Sequence, residues 1–201
     1  MKLQLVTAPT VEPLTTDDVK AQSRIDISDD DSLIGAYIEV ARAYVETILS
    51  TALITQTWDY TLEAWPGKGV IYLPRPPLQS VTSITYTDKD GNSDTVSSAD
   101  YLVDTAARPG RIVLKGTASW PAVTLRESNA IVVRFVAGYG DAASDVPPAI
   151  RQALKLLVGD FYENRENTLA VQGLTLGQMP VGLQALLGNY NMRHERVIAQ
   201  G

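Results

Sequence analysis

Apolar residues recur along this chain with two different periods, and the places where the period changes divide it into blocks. Leu33, Ile34, Tyr37, Ile38, Ala41, Val45, Ile48 and Leu49 step by three and four, which predicts a helix over about 30–49 with one apolar stripe. Trp58, Tyr60 and Leu62 then alternate with Asp59, Thr61 and Glu63, the period of a half-buried strand. The helical step returns at Ile150, Ala153, Leu154, Leu157, Val158 and Phe161, predicting a helix over 147–164.

Local signals add detail. Thr15-Thr-Asp-Asp18 reads as a capping-box start for a short helix over 16–23, and Ser28-Asp-Asp-Asp31 as the start of the next. Between about 54 and 137 the chain is rich in β-branched residues and turn sequences: Pro66-Gly-Lys-Gly69, Asp88-Lys-Asp-Gly-Asn92 and Arg108-Pro-Gly110. Strands are expected at 81–87, 101–103, 111–115 and 130–137. Pro74, Pro76 and Pro77 cannot donate ladder bonds and place their segment at a sheet edge. Asp145-Val-Pro-Pro148 starts the late helix, residues 166–180 show no period and read as a loop, and a last helix is expected over 180–192. The expected fold is α+β: a mainly helical core with an inserted small antiparallel β module over about 54–137. In domain terms this gives an N-terminal helical part over 1–52, the β module over 53–140, and C-terminal helices and tail over 141–201 that share one core with the first part. The module's own smaller core is expected around Trp58, Tyr60, Ile84, Tyr86, Ile112, Val133 and Phe135.

Composition narrows the function. Of 201 residues, 45% are hydrophobic and 20% charged, ordinary for a globular chain. There is no cysteine, which excludes disulfides, thiolate metal sites and a cysteine nucleophile. No apolar run reaches the about 20 residues of a membrane span, and Met1-Lys-Leu-Gln-Leu-Val lacks a secretory apolar region, so the protein is expected to stay where it is made.

The chemistry-bearing residues favour structural roles. His194, the single histidine, sits among Arg193, Glu195 and Arg196, without the companions a zinc site or catalytic base requires. Asp29-Asp-Asp31 lacks calcium-loop spacing and suits the first turn of a helix. Gly138-Tyr-Gly140 is no phosphate loop, and Ser119-Trp-Pro121 has no nucleophile-elbow frame. Glu163 and Glu166 flank Arg165 at a helix end, which suits a polar contact to a neighbouring subunit. No catalytic residue, cofactor or metal site is expected.

Five segments, in order, resemble the head–tail connector (adaptor, or head-completion) proteins of tailed bacteriophages and prophages: Ala52–Trp58 (ALITQTW), Ile71–Val81 (IYLPRPPLQSV), Pro109–Ile112, Phe135–Gly140 (FVAGYG) and Leu157–Glu166 (LVGDFYENRE). The resemblance runs from Val6 to about Arg193. It implies a structural virion protein, not an enzyme: a ring of about twelve identical copies under the portal, closed by a head-to-tail interface. Such a ring extends the DNA channel and joins the portal to a neck or tail protein (a stopper or tail-completion protein). It assembles in the bacterial cytoplasm, and DNA passes through without sequence-specific binding. Partner contacts are expected from Trp65 and Trp120 beside turns, from the loop with Arg165, Glu166, Leu174 and Leu176 next to Glu163, and from the tail, where Tyr190 and Met192 serve as apolar anchors to the portal and Arg193 and Arg196 pair with acidic groups. Two other classes remain open on sequence: a monomeric binding module and a small hydrolase with an unrecognised site.

A net charge of -6 gives little means of displacing counterions from duplex DNA. The isolated protein is expected to bind duplex weakly and to lose that binding at moderate salt. Titration of fluorescent duplex at increasing ionic strength checks this, and tight, salt-resistant binding would contradict it.

Overall fold

The computed structural model describes residues 1–164 and 181–190. Among these, eight strands and four helices form two compact units. One unit joins residues 1–9 to 55–139, and the other joins 10–54 to the chain beyond 140.

The helical unit begins with α1 (Thr16–Ser23) and α2 (Asp31–Leu49). Thr15 caps α1 as expected: its Oγ1 accepts from the Asp18 N–H (3.1 Å), and Asp18 Oδ2 accepts from the Thr15 N–H (3.1 Å). Along α2 the buried positions are Ile34, Ile38, Ala41, Val45, Glu46, Ile48 and Leu49, the predicted stripe with one carboxylate inside it. Leu33 and Tyr37 stay half-exposed. The N-cap of α2 is Asp30 rather than Ser28, and no side chain caps it; Ser28 contributes only its carbonyl, which accepts from the Asp31 N–H (3.1 Å).

Helix α3 (Pro148–Glu163) buries Ile150, Ala153, Leu154, Leu157, Val158 and Phe161, all six predicted positions. It packs on α1, α2 and α4 (Val181–Leu187). Tyr37 meets Phe161 at 5.9 Å between ring centroids. Leu183 and Leu187 bring α4 into the same core, and a single 3-10 turn (Gly188–Tyr190) follows it.

The β unit contains a five-stranded antiparallel sheet in the order β1 (Lys2–Thr7), β2 (Gln56–Leu62), β8 (Ile131–Ala137), β4 (Leu78–Thr87), β5 (Ser93–Thr95). A three-stranded sheet has the order β3 (Val70–Tyr72), β7 (Arg111–Leu114), β6 (Tyr101–Asp104). The proline-rich segment does follow an edge strand, β3. Leu73, Ile84, Ile112, Ile131, Val133 and Phe135 are fully buried.

Two expectations change. A mainly helical core is not supported, because the sheets bury as complete an apolar interior as the helices do, and the α+β class stands without that emphasis. Residues 2–7, expected with the helical part, form a strand whose backbone pairs with β2 from Lys2–Thr61 to Leu5–Trp58. Within the module, Trp58, Ile84, Ile112, Val133 and Phe135 are core, whereas Tyr60 and Tyr86 remain half-exposed because their hydroxyls reach Met1 Sδ and Asp94 Oδ2.

Leu157 and Leu156 make a paired test of α3. Leu157→Ala removes a 4%-exposed side chain from the packed face and is expected to cost about 2–5 kcal/mol. Leu156→Ala, at a 39%-exposed site, is expected to cost less than about 0.5 kcal/mol. Urea denaturation of both variants checks the difference.

Candidate assembly surfaces

The helical unit is held in one arrangement by polar ties between its helices. Lys155 on α3 donates to Asp18 Oδ1 on α1 (2.9 Å), and Arg151 pairs with Asp18 Oδ2 (3.8 Å). Tyr162 on α3 donates to Asp30 Oδ2 (2.7 Å), and Lys20 pairs with Asp31 (2.9 Å). Two of the three consecutive acids, Asp30 and Asp31, are thereby used structurally, and the described residues contain no cluster able to hold a metal ion.

Deeper in the unit, Glu46 is 6% exposed. One of its oxygens accepts from the Leu53 N–H (2.9 Å), the other from Arg42 (3.2 Å), and Arg42 also pairs with Glu12 (2.7 Å). Burial works against the Arg42 charge, but its bonds to Glu12 and Glu46 outweigh that cost and raise its pKa.

The β unit shows the same economy. Trp65 and Trp120 stack on each other, 4.7 Å between centroids and 5° between planes, with Tyr86 edge-on to Trp65 at 5.9 Å. These tryptophans bind loops of the unit to each other, and both stay half-exposed. Arg75 lies over Trp58 at 5.3 Å. On the opposite, polar face of the sheet, Arg134 grips Asp59 through two bonds of 2.8 Å, at paired positions of β8 and β2.

The FVAGYG segment is a strand exit: Gly138, at φ 137°, donates to the Pro77 carbonyl (2.9 Å), and its own carbonyl accepts from Gln79 (2.9 Å). Gly110 is packed so closely on Leu78 that any Cβ there would collide with that side chain.

Besides Trp65 and Trp120, two of the residues expected at interfaces lie within the described residues. Glu163 is exposed at the end of α3, and Tyr190 is half-buried at the end of the turn after α4. The structure joins them by no hydrogen bond or ion pair. Arg165, Glu166, Leu174, Leu176, Met192, Arg193 and Arg196, with His194 and the 166–180 loop, lie outside the described residues.

Sequence reading missed the exposed edge of β1 and the buried Glu46. For the first, the alternation of Leu3 and Leu5 with Lys2 and Gln4 is a visible signal. The second has none, since an acid within an apolar stripe looks like an ordinary helix-surface residue.

The titratable groups fit a structural role. Asp18 is lowered to about 2, first by its bond from Lys155 and then, against the cost of burial, by Thr15. Asp88 and Asp104 are lowered chiefly by bonds from Asn92 and Arg111. Such carboxylates are held ionised, whereas general acid–base work needs a pKa near the operating pH.

Each of the two units has its own core, and several of its charged side chains are bonded internally. A sequence model of the head completion protein family matches residues 12–180, and this chain belongs to that family. It is a structural head–tail connector protein. Three solved structures align over 95% of this chain and 95% of theirs. One comes from the neck of an empty gene transfer agent particle computed with C6 symmetry (27% identity, TM-score 0.76). Another comes from the virion of a native gene transfer agent particle (26%, 0.78). The third comes from the neck of a native particle computed with C12 symmetry (26%, 0.70). No curated protein matches the chain.

Asp18 supplies a pH test. Its carboxyl titrates near 3.8 unfolded and about 2 folded, so its stabilisation is complete above about pH 5 and is lost as pH falls toward 2. Asp18→Asn is expected to flatten this acid limb. Urea midpoints from pH 6 down to 2.5 should fall less in the variant than in the wild type, and equal slopes would refute the assignment.

Proposed function

We propose that this chain is one subunit of a ring at the neck of a phage-like particle, lying between the portal and the next neck or tail protein. The observation that carries the reading is the alignment, over 95% of both chains, with proteins from particle necks solved with cyclic symmetry. Closure of such a ring requires each copy to present two different surfaces to its neighbours. The function is geometric: subunits hold a channel open and add to its length, DNA passes along it, and no catalytic step or cofactor is required. An acidic chain suits that passage, because strong attraction would retard the DNA. Assembly takes place in the host cytoplasm, where portal-bearing heads present the template, and the finished ring resides in the virion. No helix among the described residues is long and apolar enough to cross a membrane.

Two contacts are assigned within this reading. The segment from Gly188 to Arg196 docks on the portal, with Tyr190 and Met192 as apolar anchors and Arg193 and Arg196 pairing with acids. Support for it is that α4 ends its apolar burial at Leu187, leaving Tyr190 half-exposed beyond the core. Glu163, Arg165, Glu166, Leu174 and Leu176 meet a neighbouring subunit, in line with the exposure of Glu163.

A chain ending at Leu187 keeps every buried residue described above. It is expected to melt as the full chain does and to fail to attach to portal-bearing, DNA-filled heads in a head-completion assay. Normal completion by the shortened chain would place portal docking elsewhere.

A further inference from the structure

The five-stranded sheet ends on one side in a strand whose outer edge is unprotected. β1 pairs with β2 alone, and five of its six residues are exposed. The other edges are blunted in recognised ways. β5 has three residues, all polar; β3 has three and runs into Pro74; β6 has four and ends in Asp104, paired to Arg111. β1 is longer, contains no proline, and carries its only charge at its first residue, Lys2; its one irregularity is a register shift between Leu5 and Thr7, which leaves Lys2–Leu5 regularly paired.

A second observation concerns the side chains. The apolar face of the sheet runs in cross-strand rows, and one row joins Leu5 to Trp58 to Phe135. Phe135 is 0% exposed, Trp58 9% and Leu5 41%, so the row continues to the edge strand after its cover has stopped. Val6 beside it is 43% exposed. An apolar row that ends in water, beside unpaired N–H and C=O groups, is the form a strand takes when another chain completes it.

We infer that the outer edge of β1 is an assembly contact: a second copy of this chain pairs its backbone along Lys2–Thr7 and covers Leu5 and Val6. The inference rests on the ring reading above and names one of the two surfaces that the ring requires. Cyclic symmetry favours a second copy as the occupant. Every subunit carries the same open edge, and a neighbour related by the ring axis covers all of them at once with one copy per edge. In a ring such pairing joins the edge on one copy to a different segment of the next, because β1 against β1 would be a two-fold contact that does not build a ring.

The chain has no cysteine, so Gln4→Cys gives a unique thiol on an exposed position of β1. Labelled there with benzophenone maleimide and irradiated in completed heads, the full-length protein is expected to yield a covalent dimer of itself. An adduct to the portal or another neck protein, or no adduct in heads that are complete, would overturn the inference and leave the connector reading intact. Failure of the unlabelled wild type to complete heads would instead remove the reading on which the inference rests, and the inference with it. In parallel, Leu5→Lys with Val6→Lys places two charges on a site already exposed to water. The variant is expected to keep the wild-type melting temperature while head completion needs about tenfold more protein; unchanged completion would count against the contact.

Discussion

Much of the helical unit depends on one buried carboxylate. Glu46 sits in the apolar stripe of α2, where a charge is expensive unless it is fully bonded. Its bonds show what that cost achieves. After Ser50 takes a left-handed conformation (φ 54°), the Thr51 N–H returns to the Glu46 carbonyl and the Leu53 N–H to its side chain. The turn that carries the chain out of α2 is thus closed by the backbone and side chain of a single residue. Arg42 neutralises the charge and reaches Glu12, so the segment entering the unit and the segment leaving it are bound to the same stretch of helix. A buried ion pair of this kind is weak evidence for net stability, yet loss of one partner typically costs about 3–5 kcal/mol because the other is left buried and unpaired. Its value here is in fixing one geometry.

The β unit reaches a comparable result without a buried charge. Its register is set by rows of apolar side chains on one face, since a one-residue slip would turn Val133, Phe135 and Ile131 toward water. On the other face the bidentate Asp59–Arg134 pair sits at directly opposed positions, adding a polar check on the same register. The connections are fixed by packing: Gly110 beneath Leu78, Gly138 bonded to Pro77, and the Trp65–Trp120 stack holding two loops together.

These features explain which parts of the fold were legible in the sequence. Helix periodicity, the Thr15–Asp18 capping box and the long strands β2, β4 and β8 are local patterns; the structure places α1, α2 and α3 within a residue of the expected bounds, while β4 begins three residues before the expected Val81. β1 shows a short alternation of Leu3 and Leu5 with Lys2 and Gln4, but its pairing with residues 57–61 comes from tertiary structure. The emphasis on helices misled because an amphipathic helix displays its whole stripe in one stretch of sequence. The β core is assembled from alternate residues on separate strands, with Ile84, Ile112 and Phe135 coming from β4, β7 and β8. Trp65 and Trp120 looked like free surface aromatics for the same reason, since nothing in the sequence shows that positions so far apart stack. Of the residues expected at interfaces, Glu163 is exposed and Tyr190 half-buried, and composition cannot tell which neighbour such a residue meets.

A connector has requirements that an enzyme does not, and the chemistry of this chain reflects them. An active site needs groups poised between two protonation states; here the shifted carboxylates are driven further into their charged form by partners within the protein. With their charges committed in this way, these groups have little left for strong attraction to a neighbour. Apolar rows and backbone edges offer adhesion that does not draw on these charges. Both are short-ranged and weak on a single copy, and both gain strength when many identical copies close around an axis. A subunit built this way can stay unassembled at low concentration and still form a durable ring once a template gathers its copies. The open edge of β1, a liability in an isolated sheet, would serve that mode of assembly in the contact inferred above.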